Sequence, residues 1–307
     1  MITINSKLPN VGVTIFAVMS KLAVDAGAVN LSQGFPDFDV EPELCDLVQK
    51  YMKLGYNQYA PMQGVPVLRR RIAEKTEELY GASYDPETEI TVASGATEAI
   101  FSAISCVVNR GDEVVLFEPA YDAYAPDVLL SGGIPVYVAL KYPDYHIDWN
   151  EVQDAITAKT KLMILNSPHN PTGTILGPAD MAALADIVAD TNILIISDEV
   201  YEHIVFDGNR HESITRYPDL ARRSFVISSF GKTYSTTGWK LGYCLAPKQL
   251  SEEFQRVHQF VTYASNTPIQ WAYAEFMEKK EKYLNVANFY QERRDLFLSL
   301  IADSRFK

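Results

Sequence analysis

The sequence predicts an α/β fold: a mostly parallel seven-stranded sheet sandwiched by helices, with a smaller second part beside it. Three observations carry this. From about Glu89 onward, short β-branched runs alternate with helical stretches, the sequence form of a parallel sheet covered on both faces. The chain has 307 residues, more than one ordinary domain needs, which leaves room for about two domains. Apolar residues make up 47% and charged residues 21%, globular proportions that supply a sizeable core.

The elements follow in order. Residues 1–45 carry GFPDF and little periodicity, which reads as an arm or as part of the second domain. Runs of aliphatic and β-branched residues place strands at 90–93, 114–117, 135–140, 162–165, 193–197, 225–228 and 243–246. Helices are expected between them at 98–108, 123–131, 178–190 and 249–262, the third opening on Pro178, which suits a first helical turn. Residues 283–302 read as one long helix with Phe289, Leu296, Phe297, Leu300 and Ile301 on a shared face. That face needs a partner.

Composition narrows the function. The 27 Lys and Arg against 39 Asp and Glu leave a formal charge of −12, and no basic face stands out. Neither a nucleic-acid backbone nor an acidic membrane surface is therefore an expected partner. The longest apolar stretches, such as 114–117 and 193–196, are strand-length and too short to span a bilayer. The opening MITINSKLPN has no apolar core of a secretory signal. Three widely spaced cysteines, Cys45, Cys106 and Cys244, form no CxxC pair and suit a reducing cytoplasm. The five histidines show no paired-ligand spacing, so no catalytic metal is expected, and neither a GxSxG elbow nor a Walker lysine loop is present.

Open α/β sheets bind ligands beyond the carboxyl ends of their strands. Here four strands run into polar, Gly- or Pro-marked segments: SGATEA, NSPHNPTG, SDEVYEH and SSFGKTY. In the first, Gly95, Ala96 and Thr97 sit at a strand-to-helix turn whose N–H groups favour an anion, although this segment taken alone reads better as an ordinary turn with Thr97 as helix cap. Ser229, Lys232 and Lys240 cluster at another exit, with Gly238 and Gly242 flanking Lys240; they are suitable phosphate partners, although loop lysines are common. Asp198 ends the apolar run ILIIS, where an unpaired carboxylate is costly. It is either a structural cap for backbone amides or the partner of a bound cation or protonated ring. Asn166 and Asn170 fit turn-forming as well as binding, between Pro168 and Pro171. Tyr121 in EPAYDAY is by type more often a core aromatic than a ring stacker.

The segments GATEA, EPAYDAY, NSPHNPTG, SDEVYEH and SSFGKTYSTTGWKLGY, in that order, resemble the fold type I pyridoxal-phosphate aminotransferases over nearly the whole chain. LSQGFPDF (31–38) and NQYAPMQG (57–64) are further similar to the branch holding methionine aminotransferase and the kynurenine–oxoglutarate (glutamine) transaminases. The resemblance implies a large cofactor domain at 46–280, an arm and part of a small α/β domain at 1–45, and an interdomain helix at 281–307. It makes Lys232 the lysine bonded to the cofactor aldehyde, which then moves the proton between substrate Cα and cofactor. Asp198 is implied to pair with the pyridine nitrogen and keep it protonated. Tyr201 and Asn170 would bond the ring oxygen, and Tyr121 would stack on the ring. The phosphate would rest on the Gly95–Ala96–Thr97 turn, with Ser229 and Lys240 beside it. Tyr59 is similar to the tyrosine that reaches the phosphate of a neighbouring subunit, which implies a homodimer with shared sites. Gly34, with Asn170, would receive the substrate carboxylate.

Two departures follow. Many relatives carry arginine in place of Lys240; lysine keeps the charge and loses the bidentate fork, and it is usual in the kynurenine and methionine branch. The family's substrate-carboxylate arginine belongs to a C-terminal segment beyond IADSRFK, so the resemblance implies a truncated form of a longer protein, as does the unpartnered apolar face of 283–302. Dicarboxylate-specific relatives bring an arginine from the neighbouring subunit, yet the stretch 257–292 contains none. The expected pocket lining is Phe16, Phe35, Tyr59, Tyr121, Ser265 and Asn266. It suits methionine, aromatic amino acids, glutamine or kynurenine, the amine passing to a 2-oxo acid by a ping-pong route. A cysteine-conjugate C–S β-lyase and a non-catalytic cofactor-binding dimer are the alternatives.

Overall fold

A computed structural model describes residues 2, 4–34, 36 and 38–305. Seven strands form one sheet: β1 (Ile90–Ala93), β2 (Glu113–Glu118), β3 (Ile134–Ala139), β4 (Thr160–Asn166), β5 (Leu194–Asp198), β6 (Ser224–Ser229) and β7 (Gly242–Leu245). Every run read from the sequence is one of these strands, with ends displaced by no more than two residues. The order across the sheet is β1-β7-β6-β5-β4-β2-β3. Strand β7 runs antiparallel to β1 and β6, and every other neighbouring pair is parallel.

Helices α1 (Ile15–Asp25), α2 (Pro42–Lys53) and α3 (Pro66–Tyr80) precede the sheet. Between strands lie α4 (Gly95–Val107), α5 (Tyr124–Leu130), α6 (Trp149–Ala155), α7 (Pro178–Val188), α8 (Pro218–Ala221) and α9 (Phe230–Thr233). After the sheet come α10 (Lys248–Val261), α11 (Thr267–Phe276), α12 (Glu281–Leu284) and α13 (Val286–Ile301). The central strands are apolar on both faces, as strands covered by helices on both sides must be. Along β5, Ile195 enters the core under α3 and α11, while its neighbour Ile196 enters the opposite core with Phe225 and Phe254. Such alternation follows from the two-residue period of a strand, and each fully buried aliphatic contributes about 1.5–3 kcal/mol.

Three expectations need correction. Residues 1–45 are not all irregular: Thr14 accepts the Ala17 N–H as the cap of α1, and Pro42 opens α2. The long helix at 283–302 is two helices, broken at Asn285. Of its expected apolar face, Phe289 packs edge-on against Phe38 at 4.9 Å, whereas Leu296, Phe297 and Leu300 are exposed. Helix α4 begins at Gly95, three residues earlier than read, so Thr97 lies inside its first turn rather than capping it.

Candidate active site

The parallel strands β4, β5 and β6 end side by side, on Asn166, Asp198 and Ser229. Antiparallel β7 starts at this same edge and brings back Lys240, just before its first residue, Gly242. Beyond β7, β1 points the same way as β6 and delivers the N-terminus of α4. A cavity of about 720 Å³ opens over these ends.

The expected residues meet there. Gly95, Ala96 and Thr97 line one end, with Ser229 and Lys240; Asp198 and Tyr201 lie toward the other, with Asn170, and Tyr121 stands between, near both Thr97 and Asp198. Lys232, Phe16 and Gly34 also face it. Tyr59 does not. Its ring is 83% exposed and packs edge-on to Tyr263 at 5.4 Å, because the 57–64 segment is fastened to α11 by the Thr267 hydroxyl, which donates to the Gln58 carbonyl at 2.7 Å. Ser265 and Asn266 also lie outside the cavity; Asn266 caps α11 by accepting the Ile269 N–H. Phe35 lies outside the described residues.

Asp198 is buried at the last position of the central strand. Burial pushes its carboxyl up to about 6, against the pull of two donors: the Tyr124 hydroxyl at 2.6 Å on Oδ2 and the Val200 N–H at 3.2 Å on Oδ1. Lys232 follows β6 on α9, which Ser229 caps by accepting the Gly231 N–H at 3.1 Å. Its ammonium donates to the Gly34 carbonyl at 3.4 Å and stands 5.3 Å from the Tyr201 ring centre. Burial, then the charge of Lys240, lowers the Lys232 pKa from the ordinary lysine value, and Asp198 opposes them. Burial and Asp198 push the Tyr201 phenol up to about 12. Lys240 holds a left-handed backbone, φ 51°, with Nζ 3.4 Å from the Thr97 hydroxyl. Asn166 is the turn-former of its pair: its amide donates to the Asp198 carbonyl at 2.9 Å and its oxygen accepts the Asn170 N–H at 2.7 Å.

The sequence reading missed Tyr124. Its hydroxyl is the closest donor on Asp198, and its ring meets Tyr121 edge-on at 5.6 Å. Tyr121 lies before α5, so the three-residue spacing of the two tyrosines offered no shared helix face to read.

The residues present fit pyridoxal 5′-phosphate. The buried Asp198 carboxylate has two neutral donors and forms no ion pair among the described residues, which suits a cationic ring nitrogen. At the far end, side chains are kept out. Gly95 holds φ +81°, and a Cβ there would come within 3.2 Å of the Lys240 side chain. A Cβ on Gly242 would come within 2.9 Å of the Ala96 nitrogen. What remains is a bare helix end with a lysine and a serine, a setting for phosphate.

A sheet with this order, carrying a lysine and a buried aspartate at its strand exits, defines a pyridoxal-phosphate enzyme. The chain belongs to the class I and II aminotransferases, whose family profile matches residues 26–306. Methionine aminotransferase of Escherichia coli (strain K12) is 48% identical over 303 residues, 98% of this chain and 78% of that protein. Kynurenine–oxoglutarate transaminase of Dictyostelium discoideum is 37% identical over 95% of this chain and 72% of its own length. Among solved structures, an Escherichia coli protein with a methionine aminotransferase function superimposes with a TM-score of 0.96 at 47% identity, covering 99% of this chain and 80% of that one. N-succinyldiaminopimelate aminotransferase from Mycobacterium tuberculosis gives 0.94 at 39% identity, covering 98% and 79%. Among the described residues, no helix is long and apolar enough to cross a membrane.

Proposed function

We propose that the amino donor is a neutral amino acid with a long side chain, methionine foremost, and the acceptor a 2-oxo acid. One observation carries this: the only cations among the described residues lining the cavity are Lys232 and Lys240, and no arginine is present to hold a distal carboxylate. The Phe16 and Tyr121 side chains instead offer apolar surface.

Pyridoxal 5′-phosphate supplies a protonated ring that accepts the electron pair left when the substrate Cα–H bond breaks. The protein's part is to hold and to move protons. Lys232 would hold the cofactor covalently at rest, and its lowered pKa would suit Nζ to carry the proton between substrate Cα and the carbon of the cofactor's aldehyde. Asp198 would keep the ring nitrogen protonated, while Tyr201 and Asn170 hold the ring oxygen. Tyr121 would cover one face of the ring and exclude water. The N–H groups of Ala96 and Thr97, past Gly95, would hold the phosphate with Ser229 and Lys240, and Gly34 would receive the substrate carboxylate.

The same reading makes the protein a cytoplasmic homodimer with 46–280 as the cofactor domain, Tyr59 reaching the neighbouring site. The exposed group of Tyr59, Phe260 and Tyr263 supports the pairing, and three free cysteines support the reducing compartment. The test is amine transfer from a panel of donors, with cofactor absorbance followed throughout. Methionine is expected to exceed aspartate clearly; equal rates refute the preference. Borohydride reduction should trap the cofactor on Lys232 and on no other lysine.

A further inference from the structure

Glu98 lies in the first turn of α4, beside the Gly95–Thr97 turn that the proposed reading gives to the phosphate. A carboxylate there uses the same positive helix end that an anionic ligand needs, and it repels that ligand. Its side chain is 11% exposed. It accepts the Ser94 N–H on Oε2 at 3.0 Å, and on Oε1 the Ser102 hydroxyl at 2.6 Å and His258 Nδ1 at 3.0 Å. Burial opposes its ionisation, yet the His258 contact and the two serine donors hold the carboxyl below its ordinary range.

His258 is fully buried on α10, and its other ring nitrogen, Nε2, stands 3.2 Å from the Met62 carbonyl oxygen. A carbonyl only accepts, and an ionised carboxylate only accepts, so each of the two contacts calls for a donor on the ring. A neutral ring satisfies one partner; the doubly protonated ring satisfies both. Phe254 stacks on the ring with centres 5.8 Å apart and planes 19° apart, which fixes its orientation. The titratable group facing this pair from β7 is the Cys244 thiol, which burial keeps protonated. Met62 belongs to a segment pinned just beyond it: the Val92 N–H donates to the Gln63 carbonyl at 2.9 Å, and the Val65 N–H to the Gln270 side chain at 2.7 Å.

We propose that His258, as an imidazolium, is a positioning residue for cofactor binding: it cancels the Glu98 charge beside the phosphate turn and ties that turn to the segment carrying Tyr59. The proposal rests on the reading of Gly95–Thr97 as the phosphate turn. The apoprotein is titrated with pyridoxal 5′-phosphate and, separately, with pyridoxal, followed by visible absorbance. Wild type is compared with His258→Gln and with Glu98→Gln/His258→Gln. The single variant should bind the phosphate form about tenfold more weakly, the scale of one pKa unit of charge interaction, and pyridoxal almost unchanged. The double variant should recover most of the loss. Equal weakening for both ligands, no weakening, or no recovery overturns the proposal. A wild type that binds pyridoxal as tightly as its phosphate overturns the phosphate-turn reading itself, and the proposal with it. Should His258→Gln fail to fold, ring ¹⁵N shifts of the native holoenzyme at neutral pH decide, with His258 assigned through its contact with Phe254. Two protonated nitrogens support the proposal and one bare nitrogen overturns it.

Discussion

Replacing Tyr124 by Phe removes one oxygen and leaves the ring, so the perturbation falls on Asp198 alone. The lost bond is short, 2.6 Å, and ends on a fully buried carboxylate. Hydrogen bonds to charged groups contribute about 1.5–3 kcal/mol, and one pKa unit corresponds to about 1.4 kcal/mol. The Asp198 carboxyl, already pushed up to about 6 by burial, should rise by roughly 1–2 units, because only the Val200 N–H remains on it. The sign follows from the role assigned to it. A protonated Asp198 cannot pair with a ring cation, so affinity for the cofactor falls as pH falls through the Asp198 pKa. The assay is cofactor affinity of the apoprotein against pH. Wild type should lose affinity below about 6, and Tyr124→Phe should begin losing it one to two units higher, at roughly 7–8. The phosphate of the cofactor ionises identically in both titrations, so the difference belongs to the protein. A folded Tyr124→Phe variant with an unmoved midpoint refutes the reasoning.

Three further outcomes are expected. Burying Asp198 raises its pKa, so the cost to the folded apoprotein is present above about 6 and is relieved as pH falls toward the unfolded value. Asp198→Asn should therefore stabilise the apoprotein by up to roughly 3 kcal/mol at pH 7 and little at pH 4, read by chemical denaturation; equal effects at both pH values contradict this. Lys75→Met strands the Glu202 carboxylate, which Lys75 meets at 2.7 Å and Tyr80 at 2.6 Å with both charges buried. The expected loss is about 3–5 kcal/mol, and a loss below about 1 kcal/mol shows that the pair is not what holds α3 to the site strand. In Gly242→Ala the new Cβ would lie 2.7 Å from the Ser228 carbonyl oxygen, so β6 and β7 must part. Overpacking of that kind costs about 1–3 kcal/mol, seen as a lower Tm together with weaker cofactor binding.

The strands and the polar residues that meet at the cavity were legible because both are local patterns. Apolar runs ending in Asn166, Asp198 and Ser229 state a strand and its exit within a few residues. Three helices missed by the sequence reading had a local signal too: α2 and α3, before the sheet, and α11, after it, each carry proline in the first turn. The apolar spacing of 283–302 runs on across Asn285 and hides the break between α12 and α13. Tyr124 and His258 were out of reach for a different reason. Their partners lie 74 and 160 positions away in the chain. Such pairings are set by the sheet order, which inserts β7 between β1 and β6, and no window of sequence contains that order.

That inserted strand is also why the site has two electrically opposite ends. Without β7, the N-terminus of α4 would follow a strand lying directly against β6. With β7 between them, Lys240 and Gly242 sit two strand spacings, about 10 Å, from the Asp198 strand, and the bare end of α4 closes over Gly242. The carboxylate therefore faces one end of the cavity and the helix end with its lysine faces the other, with Lys232 on the intervening strand's exit, between them. A ligand satisfying both ends must carry a cation and an anion on a rigid body of about that length, with its reactive group near the middle. The geometry selects the cofactor before any side chain is asked to recognise a substrate. Substitutions along the β5–β7 exits should consequently disturb cofactor affinity, whereas changes at Phe16 should alter substrate choice with the cofactor still bound.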